Sequence, residues 1–295
     1  MSHRPTSIAC IGAGVLGAAI IRRLLACGHD VRVWNRDPRK LEPLCALGAK
    51  QADSPGQAAA QAAFVITCVS DGAALEQVVF GQGGIAAAGD ADKVLIDMST
   101  CSASQTRAMA ARLRGQCAMP WLDAPISGGA PAALAGRMAI MVGGEQSVFE
   151  RAQPLWDCLA RKATLMGASG AGQATKMINQ VLVAGGLCLL AEAAGLAARA
   201  GIDAARIPEA LAGGRADSTQ LQEMFPKMVG NEFSITGRIG LMLKDLELIH
   251  DMARDHGATM PMTASVTELY RWMIAAGFAE RDNSELVRYF RAEQR

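Results

Sequence analysis

A short β-type run, Ser7-Ile-Ala-Cys-Ile11, feeds directly into Gly12-Ala-Gly14-Val-Leu-Gly17, and a helical stretch from Ala18 to Cys27 follows. Three glycines at this spacing, placed after a strand and at the opening of a helix, leave few folds open. Gly12 permits the tight turn, Gly14 lets a pyrophosphate approach the backbone, and Gly17 lets the helix pack closely on the strand. The helix start then offers free N–H groups and a partial positive charge to the phosphates. A glycine-rich turn by itself is common, but here a second strand, Asp30-Val-Arg-Val-Trp34, follows in the required place. Gly12, Ala13, Gly14, Val15, Leu16 and Gly17 are therefore expected to hold a dinucleotide.

The residues after that second strand bear on which dinucleotide. A chain that selects NAD places a carboxylate about 20 residues after the glycines, to accept from the ribose 2′-hydroxyl. This chain has Asn35-Arg36 there, and Asp37 comes too late. A carboxylate would repel a 2′-phosphate, whereas Arg36 can pair with it through charge-assisted hydrogen bonds. Asn35 and Arg36 favour NADP, with NAD as the alternative; the plain reading of Arg36 is a solvated residue in the turn before Pro38.

Alternation of strand and helix continues through a helix beginning near Pro38 and strands at 63–69, 93–97 and 119–123. Further strands are expected at 137–142 and near 163–166, with a helix at 147–159 between them. Ligands in open parallel sheets bind beyond the carboxyl ends of the strands. Val69, Ser70 and Thr100 should therefore flank the cofactor. Ser127-Gly128-Gly129 supplies a hydroxyl and exposed backbone N–H groups suited to a small carboxylate, although the same three residues also make an ordinary loop.

The alternation ends at Gly167-Ala-Ser-Gly170-Ala-Gly172-Gln-Ala-Thr-Lys176-Met-Ile-Asn179-Gln180, which runs into a long apolar helix. Lys176, Asn179 and Gln180 share one face of that helix. Polar side chains in an apolar setting cost roughly 1–3 kcal/mol unless partnered, so water or a ligand is expected at this turn. Beyond it the patterns are helical at about 169–200, 203–213, 217–229, 237–257, 262–276 and 283–293. The expected architecture is α/β: a Rossmann-type doubly wound sheet over 1–167, then an all-helical substrate and dimerisation domain over 168–295, linked by the long helix.

Composition removes other classes. A formal charge of +1 with no dense basic block argues against a nucleic-acid partner. No apolar run is expected to span a bilayer, because Glu192 interrupts the best candidate, and no apolar signal region precedes the first strand. A cytoplasmic protein is expected. Eight cysteines without CxxC spacing suggest buried free thiols rather than disulfides, and with four scattered histidines they suggest no metal site. The charged end, Arg288 to Arg295, is expected to be solvated.

Taken in order, Ile11-Gly-Ala-Gly-Val-Leu-Gly17, Asp97-Met-Ser-Thr100, Asp123-Ala-Pro-Ile-Ser-Gly-Gly129, Ile140-Met-Val-Gly-Gly144, the 167–179 stretch and Lys244-Asp-Leu246 resemble the β-hydroxyacid dehydrogenases. That group contains 3-hydroxyisobutyrate dehydrogenase and 2-hydroxy-3-oxopropionate reductase, and the resemblance covers nearly the whole chain. It implies that Lys176 is the catalytic acid/base with Asn179 beside it, and that Ser127, Gly128 and Gly129 bind the substrate carboxylate. It also implies Thr100 and Lys244 near the cofactor and Asp245 at the edge of the active site. The chain departs from the family pattern at Ala103, where proline is common, at Gln180, where a second asparagine is usual, and at Gly237, where a phenylalanine often faces substrate.

The implied reaction moves a hydride between nicotinamide and the hydroxyl-bearing carbon of a small 3-hydroxy acid or its semialdehyde. Lys176 takes or returns the hydroxyl proton. A free lysine titrates near ~10.4, so exclusion of water and the cationic ring must favour its neutral form. Two rivals are an imine reductase, in which this lysine is generally replaced, and a non-catalytic NADP-binding sensor or scaffold, which need not keep Lys176, Asn179 and Ser127-Gly128-Gly129 together. A homodimer or homotetramer is expected from the apolar helical half.

Overall fold

The computed structural model describes residues 6–291. Met1–Pro5 and 292–295 lie outside that range, and with them the expectations about the leading segment and the last residues of the charged tail. The chain divides into two compact units, residues 1–176 and 177–295.

Strands of the first unit are β1 (Ser7–Ile11), β2 (Asp30–Trp34), β3 (Lys50–Gln51), β4 (Phe64–Thr67), β5 (Val94–Asp97), β6 (Trp121–Asp123), β7 (Ile126–Ser127), β8 (Met138–Gly143) and β9 (Ala160–Gly167). Its helices are α1 (Val15–Ala26), α2 (Glu42–Cys45), α3 (Pro55–Ala59), α4 (Gly72–Phe80), α5 (Ala103–Cys117), α6 (Gly129–Leu134), α7 (Gln146–Arg151) and α8 (Gln153–Leu159). The sheet order is β3-β2-β1-β4-β5-β6-β8-β7, with β9 on β8. From β3 to β6 every pairing is parallel, which is the doubly wound order with its reversal between β1 and β4.

Alternate residues of each strand face opposite sides, and both sides are covered. Ile8 and Cys10 of β1, Phe64 and Ile66 of β4, and Val94 and Ile96 of β5 join one core with Ile20, Ile21 and Leu24 of α1. Ala9, Ile11, Val65 and Leu95 join the other with Leu75 of α4 and Met109 of α5. Beyond β6 the sheet turns mixed: β8 runs antiparallel to both β6 and β7 and parallel to β9.

The expectation of free cysteines is corrected at one pair. Cys27, which caps α1, is bonded to Cys158 of α8, 131 residues away in sequence; Cys10, Cys101 and Cys188 are buried thiols. Packing of α1 against α8 brings the two together, a proximity that spacing along the chain does not reveal.

A 29-residue helix, α9 (Ala171–Arg199), begins in the first unit and continues into the second. The second unit adds α10 (Ile207–Leu211), α11 (Thr219–Gly230), α12 (Ile239–Asp255), α13 (Pro261–Ala275) and α14 (Val287–Phe290). Among its described residues the only β pairing is an isolated bridge between Arg238 and Asp282. Helical spacing fills its core: Ala184, Leu187, Cys188, Ala191 and Ala194 of α9 meet Leu221, Phe225 and Met228 of α11 and Ile239, Met242, Leu246 and Ile249 of α12.

By length and composition alone α9 is apolar enough to cross a membrane, which corrects the expectation that no run was. Glu192 is too isolated to offset the alanines and leucines around it. One stripe of this helix, with Ile178, Leu182, Leu189 and Leu196 at 58–71% exposure, lies outside the core.

Candidate active site

Register sets the site. Ile11, Thr67, Asp97 and Asp123 are successive partners across β1, β4, β5 and β6, so these four strands end level. The segments that follow them, Gly12–Gly17, Cys68–Ser70, Met98–Thr100 and Ala124–Gly129, therefore share one end of the sheet.

At β1 the turn is tight enough to need its glycines. Gly12 sits at φ +104°, and a Cβ there would lie 2.2 Å from the Cys68 carbonyl oxygen; one on Gly17 would lie 2.2 Å from the Gly12 carbonyl oxygen. Gly14 is different. It is extended, with nothing within 4 Å of where a Cβ would be, and the first turn of α1 has neither a side-chain cap nor an acidic residue. Open space over uncapped N–H groups suits a pyrophosphate, so this turn fits a dinucleotide.

Asn35 is committed to the same turn: its Oδ1 accepts from the Ala13 N–H at 2.9 Å, and its Nδ2 donates to the Asp37 carbonyl at 2.8 Å. Arg36, next to it, is exposed. The Val69 N–H donates to Ser99 Oγ at 3.0 Å, and the Ser70 hydroxyl donates to Asp71 at 2.7 Å. Thr100 is half-buried.

The start of α9 brings Lys176 to the same end of the sheet. Lys176 is 8% exposed, and its Nζ donates to the carbonyl oxygen of Ile126 at 2.8 Å. Ile126 directly precedes Ser127-Gly128-Gly129, where both glycines have positive φ, +112° and +61°. Gly128 is the N-cap of α6, so this loop also ends at a helix start with no side-chain cap. The buried amine is thus bonded to the residue that immediately precedes this glycine loop.

Two residues that hold this arrangement together were not singled out from sequence. Asp123, fully buried, accepts from the Gly170 N–H at 2.8 Å and the Gln173 N–H at 3.0 Å. Gln173 donates to the Ser99 carbonyl at 2.9 Å and accepts from the Cys101 N–H at 3.3 Å. Burial pushes the Asp123 carboxyl up to about 6, against the opposing pull of those two N–H groups. In sequence, both lie inside stretches that carry the family resemblance, but nothing there distinguished them from their neighbours except that Asp123 is a carboxylate ending an apolar run.

In the helical unit, Asn179 is half-buried and its Nδ2 donates to Gln180 Oε1 at 2.8 Å; Gln180 Nε2 donates to Asp245 at 2.6 Å. Lys244 is 3.3 Å from the other oxygen of Asp245. Gln180, where the family usually has asparagine, thus spans from Asn179 on α9 to Asp245 on α12. Gly237 carries the Asp282 contact through its N–H at 3.0 Å, and a Cβ there would meet Asn283 at 2.9 Å, so a phenylalanine could not sit in this turn unchanged.

Residues 7–167 match the model of the NAD-binding domain of 6-phosphogluconate dehydrogenase, and 170–290 match that of the NAD-binding domain of NADP-dependent 3-hydroxyisobutyrate dehydrogenase. The chain belongs to the β-hydroxyacid dehydrogenase family of NAD(P)-binding oxidoreductases. It is 34% identical to the 2-hydroxy-3-oxopropionate reductase of Escherichia coli, over 94% of each chain. It is 32% identical to the solved 3-hydroxyisobutyrate dehydrogenase of Mycobacterium tuberculosis with L-serine, at a TM-score of 0.86 over 98% of this chain and 100% of that one. An imine reductase from a Pseudomonas species, 21% identical with a TM-score of 0.65 over 96% and 98%, shares the fold alone.

Proposed function

We propose that this protein interconverts a small 3-hydroxy acid, or the corresponding semialdehyde pair, with NADP preferred over NAD and with Lys176 as the proton carrier. The observation that carries this reading is the buried Lys176 Nζ resting 2.8 Å from the carbonyl that precedes Ser127-Gly128-Gly129. Residues 1–167 are assigned to the dinucleotide and 168–295 to substrate and assembly.

Gly12–Gly17 would hold the dinucleotide phosphates, with Arg36 toward a 2′-phosphate and Val69, Ser70, Thr100 and Lys244 nearby. NADP, when bound, takes up or returns the hydride. Ser127 and the N–H groups of Gly128 and Gly129 grip the carboxylate of substrate, which sets the hydroxyl-bearing carbon a short span from Lys176. The Ile126 carbonyl accepts an N–H of the amine in either protonation state, and so holds Nζ beside the residues proposed to grip the carboxylate. Asn179 and Asp245 are assigned to the substrate on resemblance alone.

Lys176→Ala is expected to lower kcat by at least about 10³-fold, as loss of an acid/base group does, with NADPH affinity retained. Short hydroxy acids and semialdehydes, each tested with NADP(H) and NAD(H), would be followed by nicotinamide absorbance; turnover by Lys176→Ala at the parent rate would refute the assignment. Retention of Lys176 speaks against imine chemistry, and cyclic imines belong in the same panel. A non-catalytic sensor would show NADPH binding and no turnover with any of these compounds. We further propose a cytoplasmic homodimer or homotetramer, packed on the exposed α9 stripe, which light scattering would reveal.

A further inference from the structure

We propose that Asp123 is a positioning residue for Lys176. The proposal rests on the assignment of Lys176 as proton carrier and adds a reason for its aim.

A helix start leaves N–H groups without intrahelical partners, and the usual remedy is a side chain immediately before it. Here the acceptor for α9 comes from a strand ended 47 residues earlier: Asp123 takes the Gly170 N–H on one oxygen and the Gln173 N–H on the other. Three residues beyond Gln173 stands Lys176, and three residues beyond Asp123 stands Ile126, whose carbonyl receives the amine. Segments 123–126 and 170–176 are therefore clasped at two points, one structural and one chemical.

The clasp has no slack. A Cβ on Gly172 would lie 2.4 Å from the Asp123 carbonyl oxygen and 2.5 Å from that of Met141, and one on Gly143 would lie 2.6 and 2.7 Å from the two carboxylate oxygens. Strands β6 and β8 thus meet the first turn of α9 backbone to backbone. With Asp123 as the fixed point, the distance from the turn to the Ser127-Gly128-Gly129 loop is set by covalent geometry over a few residues. A misplacement of about 1 Å at a reacting group costs on the order of 10²-fold in rate, so a loosened clasp should register in kcat.

Asp123→Asn tests this at constant volume. An amide has one accepting oxygen, so its NH2 would face one of the two N–H donors and that bond would be lost. The expected result is a kcat reduced about tenfold or more, with NADPH Kd within about twofold and substrate KM within about threefold of the parent. Asp123→Ser, which adds no atoms to this contact and removes the second accepting oxygen, should give the same pattern and decides the matter should the first variant not fold. A smaller kcat loss in the folded variant, or equal losses in kcat and cofactor affinity, overturns the proposal. Lys176→Ala in parallel separates the two levels: inactive Lys176→Ala with an unimpaired Asp123→Asn rejects only the positioning role, whereas active Lys176→Ala rejects the reading beneath it.

Discussion

Substituting alanine at Gly17 should destabilise the cofactor-free protein and at Gly14 should not, whereas both should weaken cofactor binding. At Gly17 the added Cβ would fall 2.2 Å from the Gly12 carbonyl oxygen and 3.0 Å from its carbon. Carbon–oxygen contacts settle near about 3.3 Å, so α1 would have to retreat by about 1 Å. It is poorly free to do so: Ala19, Ile20, Ile21 and Leu24 are at most 4% exposed, Arg23 donates to the Cys158 carbonyl at 2.9 Å, and Cys27 is bonded to Cys158. Overpacking of this kind costs about 1–3 kcal/mol, and each kcal/mol lowers Tm by about 2–4 °C at this size. At Gly14 there is nothing within 4 Å and φ is −67°, so the empty protein should melt as the parent does. The methyl would instead occupy space assigned to the pyrophosphate. Calorimetry of the empty protein and fluorescence titration with NADPH would read both. Expected are a several-degree loss with Gly17→Ala only, and Kd raised about tenfold or more in both variants. Parent-like NADPH affinity in Gly14→Ala would mean that the open space is not where phosphate sits, and the cofactor assignment of this turn would fall with it.

Three other outcomes are expected. Arg36→Ala should raise the KM for NADP by about tenfold, the low end for a charge-assisted contact because Arg36 is exposed, with the NAD value little changed; equal effects on both cofactors would contradict the 2′-phosphate role. Unfolding without reductant, followed by alkylation and mass measurement, should leave Cys27 and Cys158 unmodified, and Cys158→Ser should lower stability by about 2–4 kcal/mol; labelling of all eight cysteines would refute the bond. The Asp123 carboxyl, raised in the folded state to about 6, contributes stability that is complete below its unfolded value near ~3.9 and lost as pH rises through about 6, a swing of roughly 3 kcal/mol. Denaturation of parent and Asp123→Asn between about pH 4 and 6.5 should therefore show the variant gaining relative to the parent as pH rises, and a constant difference over that range would show that Asp123 titrates normally.

Much of the first unit was legible because its signals are local. The bounds of β1 and β2 coincide with apolar runs stopped by Gly12 and by Asn35, and α9 follows an unbroken helical pattern. Two-residue strands such as β3 and β7 carry no periodicity, and β7 lies directly after Pro125, which masks it. Strand β9 extends from 160 to 167 although a shorter run was expected, since an edge strand with exposed Arg161 and Lys162 is held by its pairing to β8 rather than by burial. At the site, Lys176 and the Ser127-Gly128-Gly129 loop stood out by residue type, whereas the carboxylate and amide that clasp them did not. The contributions of Asp123 and Gln173 depend on which backbone groups end up opposite them, 47 to 74 residues away, and spacing along a chain does not encode that.

The bond from Ala13 N–H to Asn35 Oδ1 couples two properties usually treated as separate. The side chain at the position proposed to discriminate between the two nicotinamide dinucleotides also braces the glycine turn, with its second hand on the Asp37 carbonyl. A carboxylate installed at 35 to court NAD could still receive Ala13 but would set like partial charges against that carbonyl. Retargeting this enzyme therefore calls for a paired change, one residue to meet the ribose and another to release the main chain at 37.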